Sequence, residues 1–251
     1  MNETIEILSQ AASQKVKIIK KNPSKYWVSS VFAGALIGLG VLVSFTVGAI
    51  LTSAHSPGAK LLPALSFSVA LSLVIFLGTE LFTGNNMIMT IGRLNRSVTT
   101  SQLSSVWLRS WVGNLIGSII LSGVFIGTGL IKGPIQDFYS AAALAKVSLS
   151  PLELVTRGIF CNFLVCLAIL TCNRTKNDAA KLIIIIMCIY AFMTSGFEHS
   201  IADMTVFAIA IMSKSITSIS IGQAAYALFF ITIGNIIGGS LLVGWVANKI
   251  K

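Results

Sequence analysis

The chain has 251 residues, of which 55% are hydrophobic and only 10% are charged, and its mean hydropathy is +0.87. So little polar surface cannot cover a globule in water, which excludes an ordinary soluble domain and indicates a protein of the lipid bilayer. Eighteen Lys and Arg residues against eight Asp and Glu residues give a net charge of +10. These basic residues flank apolar runs, so we expect no nucleic-acid partner.

The N-terminal segment, residues 1–25, is polar and precedes the first apolar run, so it does not match a cleavable signal peptide. Its apolar residues recur at helical spacing: Ile5, Leu8, Ala12, Val16 and Ile19. This pattern is typical of an amphipathic helix on a membrane surface. We therefore expect such a helix over residues 1–25 and a membrane domain over residues 26–251.

Six apolar runs follow, and each is long enough to cross a bilayer core, which needs about 20 apolar residues per helix. The predicted spans lie near residues 27–53, 62–90, 106–131, 154–173, 181–212 and 221–247. Most connections are short and polar, and only the segment around 132–153 is long enough to fold over a surface. The chain is therefore predicted to be an all-α membrane protein with six transmembrane helices.

The basic residues divide unevenly between the two sides of this arrangement. Thirteen fall on the side of the termini: Lys15, Lys17, Lys20, Lys21, Lys25, Arg93, Arg96, Arg109, Arg174, Lys176, Lys181, Lys249 and Lys251. Five fall on the other side: Lys60, Lys132, Lys146, Arg157 and Lys214. Because Lys and Arg are enriched in cytoplasmic loops, the bias predicts that both termini are cytoplasmic in a multi-pass protein of the inner (plasma) membrane.

The second and fifth spans are interrupted near their middles by glycine and polar residues. Residues 78–86 read Gly-Thr-Glu-Leu-Phe-Thr-Gly-Asn-Asn, and residues 195–203 read Ser-Gly-Phe-Glu-His-Ser-Ile-Ala-Asp. Backbone leaves helical geometry inside a bilayer only where protein or a water-filled cavity satisfies its polar groups. The two motifs therefore predict that helices 2 and 5 are broken and line a path.

Matching motifs divide the chain into two halves. Spans three and six share Gly-Asn-Leu-Ile-Gly at residues 113–117 and Gly-Asn-Ile-Ile-Gly at residues 234–238, and a weaker match relates spans one and four. With three spans in each half, the second half must enter the membrane from the opposite side. This predicts two inverted three-helix repeats. They cover about residues 26–131 and about residues 154–248.

Four ionisable side chains lie at predicted membrane depth: Glu80, Glu198, His199 and Asp203. A charge there costs several kcal/mol, so each is a candidate functional group. The carboxylates have a structural alternative, because they can accept hydrogen bonds from amides exposed at a helix break. His199 can donate a proton or a hydrogen bond near neutral pH. Thr83 is the hydroxyl expected to correspond to His199 in the first half.

These motifs resemble the signatures of the formate/nitrite transporter family. The resemblance is carried by residues 78–85, by Cys-Asn-Phe-Leu-Val-Cys at residues 161–166, and by Gly-Phe-Glu-His-Ser-Ile-Ala-Asp-Met at residues 196–204. It covers the whole chain, from the N-terminal helix to the sixth span. Within the family, the Gly-Thr-Glu-Leu-Phe-Thr-Gly-Asn form is most similar to the hydrosulfide channel branch.

The resemblance implies a homopentamer of aquaporin-like protomers, each with its own pore for small monovalent anions of weak acids. It implies a central polar pair, Thr83 and His199. The supporting network would consist of Glu198, Asn162 and Glu80. Hydrophobic constrictions would be formed on one side by Leu71, Val165 and Phe192, and on the cytoplasmic side by Leu81 and Phe82.

The resemblance also assigns basic residues at the two mouths of the pore. Lys146 matches a vestibule lysine that attracts anions. Lys15 and Lys17 belong to an N-terminal helix that either moves to gate the cytoplasmic mouth or stays permanently docked. Asp203 departs from the family pattern, since some relatives carry Asn at this position.

The favoured hypothesis is that an anion, with hydrosulfide as the first choice, gains a proton and crosses the apolar constrictions as the neutral acid. Protonation removes the cost of desolvating a charge. The proton comes either from His199 or from vestibule water, and the residues leave both sources open. A formate or nitrite channel of the same family is the alternative substrate assignment.

Other classes of protein are less well supported. No metal or cofactor is expected, because the cysteines lack paired spacing and the membrane region has no second histidine. The four cysteines are Cys161, Cys166, Cys172 and Cys188. An intramembrane enzyme is disfavoured for the same reason. A neutral-solute channel and a non-transporting subunit, in which the broken helices only mediate assembly, stay open.

Overall fold

The computed structural model describes residues 1–213 and 219–251, and the regular elements in these ranges are helices. In chain order they are α1 (Asn2–Lys21), α2 (Pro23–Ser53), a 3-10 turn (Pro57–Ala59), α3 (Leu61–Ser66), α4 (Ser68–Leu77), α5 (Phe82–Leu94), α6 (Thr100–Gly127), α7 (Pro134–Val147), α8 (Pro151–Cys172), α9 (Asp178–Thr194), α10 (Ser200–Met212), α11 (Ile221–Ile236), a π-helix (Ile237–Trp245) and α12 (Val246–Lys249). Lys214, which we counted among the outward basic residues, lies outside the described residues.

Five helical stretches among the described residues are long and apolar enough to cross a membrane. They are Pro23–Ser53, Pro57–Leu77, Thr100–Gly127, Pro151–Cys172 and Ile221–Lys249. The fifth predicted span is divided into α9 and the shorter apolar helix α10. The chain is thus an all-helical protein with several membrane-crossing helices, and the count of six spans stays a prediction.

Both interruptions occur where glycine allows the backbone to turn. α4 ends at Leu77, and Gly78 follows with a φ of 63° before α5 begins at Phe82. α9 ends at Thr194, and Gly196 has a φ of 74° before α10 begins at Ser200. This left-handed conformation carries little strain only for glycine, so a single glycine ends each first half-helix.

The Gly-Asn-x-Ile-Gly motifs place two long helix pairs in close contact. A Cβ atom at Gly117 of α6 would lie 1.9 Å from the Val31 carbonyl oxygen of α2. A Cβ atom at Gly238 would lie 2.2 Å from the Ile159 carbonyl oxygen of α8. Because only glycine avoids these clashes, the motif lets the backbones approach as small residues do in membrane helix pairs.

Two helices outside the membrane-crossing set lie at opposite ends of α2. α1 immediately precedes α2, whereas Phe138 of α7 packs against Gly48, close to the end of α2. Since a helix rises 1.5 Å per residue, Gly48 lies about 38 Å from the start of α2. We call the two ends of the protein the α1 side and the α7 side.

α1 is docked against the rest of the protein through its apolar face. Ile5, Leu8 and Ala12 are at most 2% exposed. The approach to α5 is so close that a Cβ atom at Gly92 would lie 2.4 Å from the Cβ of Ala12. The predicted amphipathic helix therefore exists, and its buried face contacts protein.

Candidate functional site

An asparagine from α6 holds the first break, residues 78–81, in place. The backbone N–H of Phe82 donates to Asn114 Oδ1 over 2.9 Å. Asn114 Nδ2 in turn donates to the carbonyl oxygens of Ser30, at 2.7 Å, and Glu80, at 3.0 Å. One buried amide thus satisfies backbone groups that the broken helix leaves without partners.

A second asparagine, from α11, makes the corresponding bonds at the break over residues 195–199. The Ser200 N–H donates to Asn235 Oδ1 over 3.0 Å. Asn235 Nδ2 donates to the carbonyl oxygens of Gly158, at 2.8 Å, and Glu198, at 3.0 Å. The Gly-Asn-x-Ile-Gly motif singled out both asparagines, but the sequence analysis did not predict that they bond the backbone of the breaks. An amide within an apolar span could have indicated this role, because a buried amide needs hydrogen-bond partners.

The matching asparagine bonds show which residues of the two breaks correspond. Phe82 corresponds to Ser200, so Leu81 corresponds to His199 and Glu80 corresponds to Glu198. This corrects the expected correspondence of Thr83 with His199, since Thr83 lies two residues further along. Sequence spacing alone could not reveal this register, because the bonds that define it come from other helices.

Thr83 and His199 nevertheless meet in the interior. Thr83 Oγ1 lies 3.1 Å from His199 Nε2, and the two residues are 0% and 4% exposed. The Ala202 N–H donates to His199 Nδ1 over 3.2 Å, so Nδ1 is an acceptor and carries no proton. The proton of a neutral imidazole is therefore on Nε2, which donates to Thr83 and leaves the Thr83 hydroxyl hydrogen free for another acceptor.

Asn162 contacts this pair, and Glu198 does not. Asn162 Nδ2 lies 3.2 Å from the Thr83 carbonyl oxygen, 3.0 Å from Asn86 Oδ1 and 2.6 Å from the Asn235 carbonyl oxygen. Among the hydrogen bonds within residues 1–213 and 219–251, none joins the Glu198 carboxylate to His199. Asn162 therefore braces the backbone at Thr83, while the Glu198 side chain points to a different partner.

Apolar side chains border the polar pair. The Phe192 ring stacks at 6.2 Å between centroids on the His199 imidazole. Phe67, which the sequence did not single out, meets Phe192 edge to face at 5.9 Å. All five predicted constriction residues are at most 3% exposed: Leu71, Val165, Phe192, Leu81 and Phe82. Leu81 and Phe82 directly precede Thr83, so apolar groups lie next to both members of the pair.

On the α1 side, Lys15 reaches the first break. Its Nζ lies 2.8 Å from both carboxylate oxygens of Glu80. Asn85 Nδ2 also donates to Glu80, at 3.1 Å. Lys17 is exposed and lines a different, shallow cavity on α1. Lys15 and Lys17 were both expected to take part in gating by the N-terminal helix. Of the two, only Lys15 contacts the first break.

On the α7 side, Lys146 reaches the second break and bonds two carboxylates. Its Nζ donates to Glu198 and lies 2.8 Å from Asp203 Oδ1. Burial alone would lower the pKa of Lys146, but Asp203 and Glu198 outweigh burial and hold that pKa above its usual value. Arg157 Nη1 lies 4.0 Å from Glu198 Oε1. Lys146 is thus a charged partner of the break, not a free surface lysine.

Neither a metal site nor a disulfide accompanies this cluster. Within the described ranges, no group of three His, Cys, Asp or Glu side chains is placed to hold a metal ion. All four cysteines are free thiols.

The comparisons with known proteins agree on one family. A family model described as formate/nitrite transporter matches residues 2–248. The nitrite transporter NirC of Escherichia coli (strain K12) is 36% identical over 250 residues, which cover 98% of this chain and 92% of that relative.

Two solved structures extend this likeness to the fold. One, described as an FNT family ion channel, superposes with a TM-score of 0.95 at 33% identity and covers 100% of both chains. Another, a pentameric formate channel with formate bound, has a TM-score of 0.78 at 28% identity, and the match covers 92% of this chain and 98% of that one.

Proposed function

Because the chain belongs to the formate/nitrite transporter family, we propose that it is a channel for small monovalent anions of weak acids. It is a multi-pass membrane protein. The observation that carries the proposal is the Thr83–His199 hydrogen bond of 3.1 Å, set between apolar side chains where two half-helices begin. Such a site presents hydrogen-bond donors to a small solute and excludes large or strongly hydrated ones.

The two half-helices supply a favourable field for an anion. α5 begins at Phe82 and α10 begins at Ser200, and the first N–H groups of a helix lack carbonyl partners within it. The N-terminal end of a helix also carries a partial positive charge. An anion that approaches the polar pair is therefore attracted, even though the surrounding apolar groups oppose its desolvation.

We propose that the anion crosses the apolar constrictions as its neutral acid. Protonation cancels the charge whose desolvation forms the barrier. His199 is a poor source of this proton, because Nδ1 accepts from the Ala202 backbone and the Nε2 proton is engaged with Thr83. We infer that water at the mouths supplies the proton and that His199 orients the Thr83 hydroxyl toward the solute.

The architecture that fits this function has six spans in two inverted repeats. The matching Asn114 and Asn235 bonds support such a repeat, with its pseudo-symmetry relating the two breaks. By analogy with the pentameric formate channel, the protein would assemble as a homopentamer of independent pores. The bias of basic residues supports a cytoplasmic position for both termini. Family membership and the apolar helices support a place in the inner membrane.

Three weak-acid anions are candidate substrates. The motif at residues 78–85 is most similar to hydrosulfide channels, so hydrosulfide stays a prediction. The names of the relatives point to nitrite and formate. These anions are all small enough to meet the same polar pair, and the geometry favours none of them.

Flux measured in liposomes with an internal pH dye tests the proposal. Gradients of hydrosulfide, formate and nitrite are each applied to liposomes with and without the protein, and the protein-free rate is subtracted. We expect at least one anion to acidify the interior faster when protein is present. If neither acidification nor entry of the anion itself is faster with protein, while glycerol enters faster, the protein is a neutral-solute channel; if none of the three is faster, it is a non-transporting subunit.

A further inference from the structure

An apolar groove of about 560 Å³ lies between α8, α9 and the C-terminal helices, and its described lining contains no residue of either break. We call it the C-terminal groove. Its α8 wall extends from Phe163 to Thr171, a length of about 12 Å at 1.5 Å per residue. This length matches most of one leaflet, since the whole hydrocarbon core is about 30 Å thick. The facing walls come from α9, the π-helix and α12: Ala180, Ile184, Leu242, Val243, Val246 and Ala247.

One arginine lies at the end of this groove, in the loop between α8 and α9. Arg174 follows closely after Cys172, the last residue of α8, and it is exposed. Within residues 1–213 and 219–251, no carboxylate lies within 4.0 Å of its guanidinium. The other side chains of the described lining are uncharged. The groove thus combines a long apolar wall with a single unbalanced positive charge at one end.

A tryptophan and a lysine indicate the depth of the charged end. Trp245 directly precedes Val246 of the groove and is 44% exposed, and Lys249 Nζ lies 5.9 Å from the centre of its ring. Tryptophan concentrates at the boundary between headgroups and hydrocarbon, and lysine reaches from there toward water. The charged end therefore lies at headgroup level on the α1 side, and the apolar wall extends into the leaflet.

We propose that the C-terminal groove binds an anionic phospholipid, whose phosphate contacts Arg174 and whose acyl chain lies along the apolar wall. A guanidinium can donate two parallel hydrogen bonds to phosphate oxygens. Inside a bilayer an acyl chain gains packing but no hydrophobic free energy from a protein groove, so the contact with Arg174 determines which lipid is selected. The proposal does not depend on which solute the pore carries.

A second apolar groove shows what the arginine adds. It has a volume of about 680 Å³ and lies between α6, α10 and α11, with Trp111, Phe207 and Phe229 in its wall. Its described lining contains no charged residue. A lipid chain there would be held by packing alone, so that groove should not distinguish anionic from zwitterionic lipids. Headgroup selection is therefore assigned to the C-terminal groove.

The test is lipid binding to the purified protein, measured by native mass spectrometry after co-purified lipid has been removed. Phosphatidylglycerol and phosphatidylcholine with identical acyl chains are titrated separately into wild type and Arg174→Gln. Wild type should bind the first phosphatidylglycerol per protomer about fivefold more tightly than phosphatidylcholine, the effect of one basic residue near an anionic lipid. Arg174→Gln should remove this preference by weakening the binding of phosphatidylglycerol alone.

Two control variants match the two parts of the site. Arg96→Gln removes the same charge from an exposed position next to Ser97, which bonds α1, and Arg96 does not line the groove. Leu242→Trp should fill the apolar wall and weaken the binding of both lipids, whereas Leu241→Trp, at an exposed position outside the lining, should weaken neither. If Leu242→Trp does not fold, Arg174→Gln decides, because its position is exposed.

Equal phosphatidylglycerol affinity in wild type and Arg174→Gln would overturn the site, and so would an equal loss in Arg96→Gln. Glycerol phosphate that displaced phosphatidylglycerol at equal concentration would show that the groove holds a free phosphate compound and no acyl chain. If Leu242→Trp dissociated the assembly and left lipid binding unchanged, the groove would be a contact between protomers. Binding is measured without transport, so the channel proposal can fail while the lipid site stands, and the reverse.

Discussion

The two breaks share a scaffold but differ in the side chains that they present to the interior. Each has an asparagine that closes the turn, a glutamate two residues before the new helix, and a lysine from an outer helix bonded to that glutamate. At the position before the new helix, however, the first break has Leu81 and the second has His199. Three residues after the first residue of the new helix, the first break has Asn85 and the second has Asp203.

The comparison separates residues that hold the backbone from residues that act on the solute. The shared asparagines satisfy backbone groups, a need that every helix break inside a bilayer has, and the shared glutamates and lysines neutralise each other's charge. The features that differ place one imidazole against one hydroxyl, Thr83, and one additional carboxylate beside Lys146. We therefore expect substitutions of the residues that both breaks share to lower stability. Substitutions of Thr83, His199 and Asp203, which differ between the breaks, should change transport.

The largest effect is expected from the two asparagines. Asn114→Leu and Asn235→Leu each remove three hydrogen bonds and leave buried backbone groups unpaired, at a cost of about 1–3 kcal/mol for each group. Both variants should show a large fall in the melting temperature in detergent. Asn248→Leu, which loses one bond at a partly exposed position, is the control. A large fall for only one of the two variants would contradict the equivalence of the breaks.

The next largest effect is expected from substitutions in the Thr83–His199 pair. His199→Leu makes the second break resemble the first, and Thr83→Val removes the hydroxyl while keeping its volume. Loss of a hydrogen bond worth about 1.5 kcal/mol to a crossing solute should reduce maximal flux about tenfold. Liposome flux of the preferred weak acid measures this. Wild-type flux in both variants, with normal folding, would show that the pair is only a packing feature.

A smaller effect is expected from the two lysines that bond the glutamates of the breaks, Lys146 and Lys15. Lys146→Gln leaves Asp203 without a cation and Glu198 with only the more distant Arg157, at 4.0 Å, whereas Lys15→Gln affects Glu80 alone, so the first should lower the melting temperature more. The Lys15 variant should instead make α1 more accessible to protease, since its contact with Glu80 is lost. Equal melting temperatures with no change in proteolysis of α1 would refute this distinction.

The smallest effect should come from Asp203→Asn, which gives the second break the amide that the first carries as Asn85. Removing one negative charge beside Lys146 makes the α7 side less negative, so anions should bind better there. We expect the half-saturation concentration from the α7 side to fall about two- to threefold, with no change from the α1 side. A rise instead of a fall would mean that Asp203 holds Lys146 in the position that attracts anions.

The helices and the breaks were predictable from the sequence, because each follows from local chemistry. Apolar length predicts spans, and Gly78 and Gly196 mark the turns that only glycine adopts with little strain. The amphipathic spacing of Ile5, Leu8 and Ala12 likewise predicted the buried face of α1, although not that it rests on protein.

Contacts between distant segments were less accessible to sequence reasoning. Lys15 and Glu80 are 65 residues apart, and nothing in their neighbourhoods pairs them. The register that relates Leu81 to His199 depends on bonds from α6 and α11, so the expected equivalence of Thr83 and His199 was wrong by two positions. Their contact was expected from the pseudo-symmetry of the two breaks and from the family resemblance, since it requires both breaks to meet in three dimensions.

The voltage dependence of flux tests the central claim most directly. Liposomes are given a potassium gradient with valinomycin, and uptake of nitrite, formate or hydrosulfide is measured at several membrane potentials, with chloride as the anion of a strong acid. If the solute crosses as a neutral acid, uptake of the weak acid should be independent of voltage and accompanied by one proton per anion, and chloride should not enter. Uptake that follows the membrane potential, or equal entry of chloride, would show that the bare anion crosses and would contradict the account.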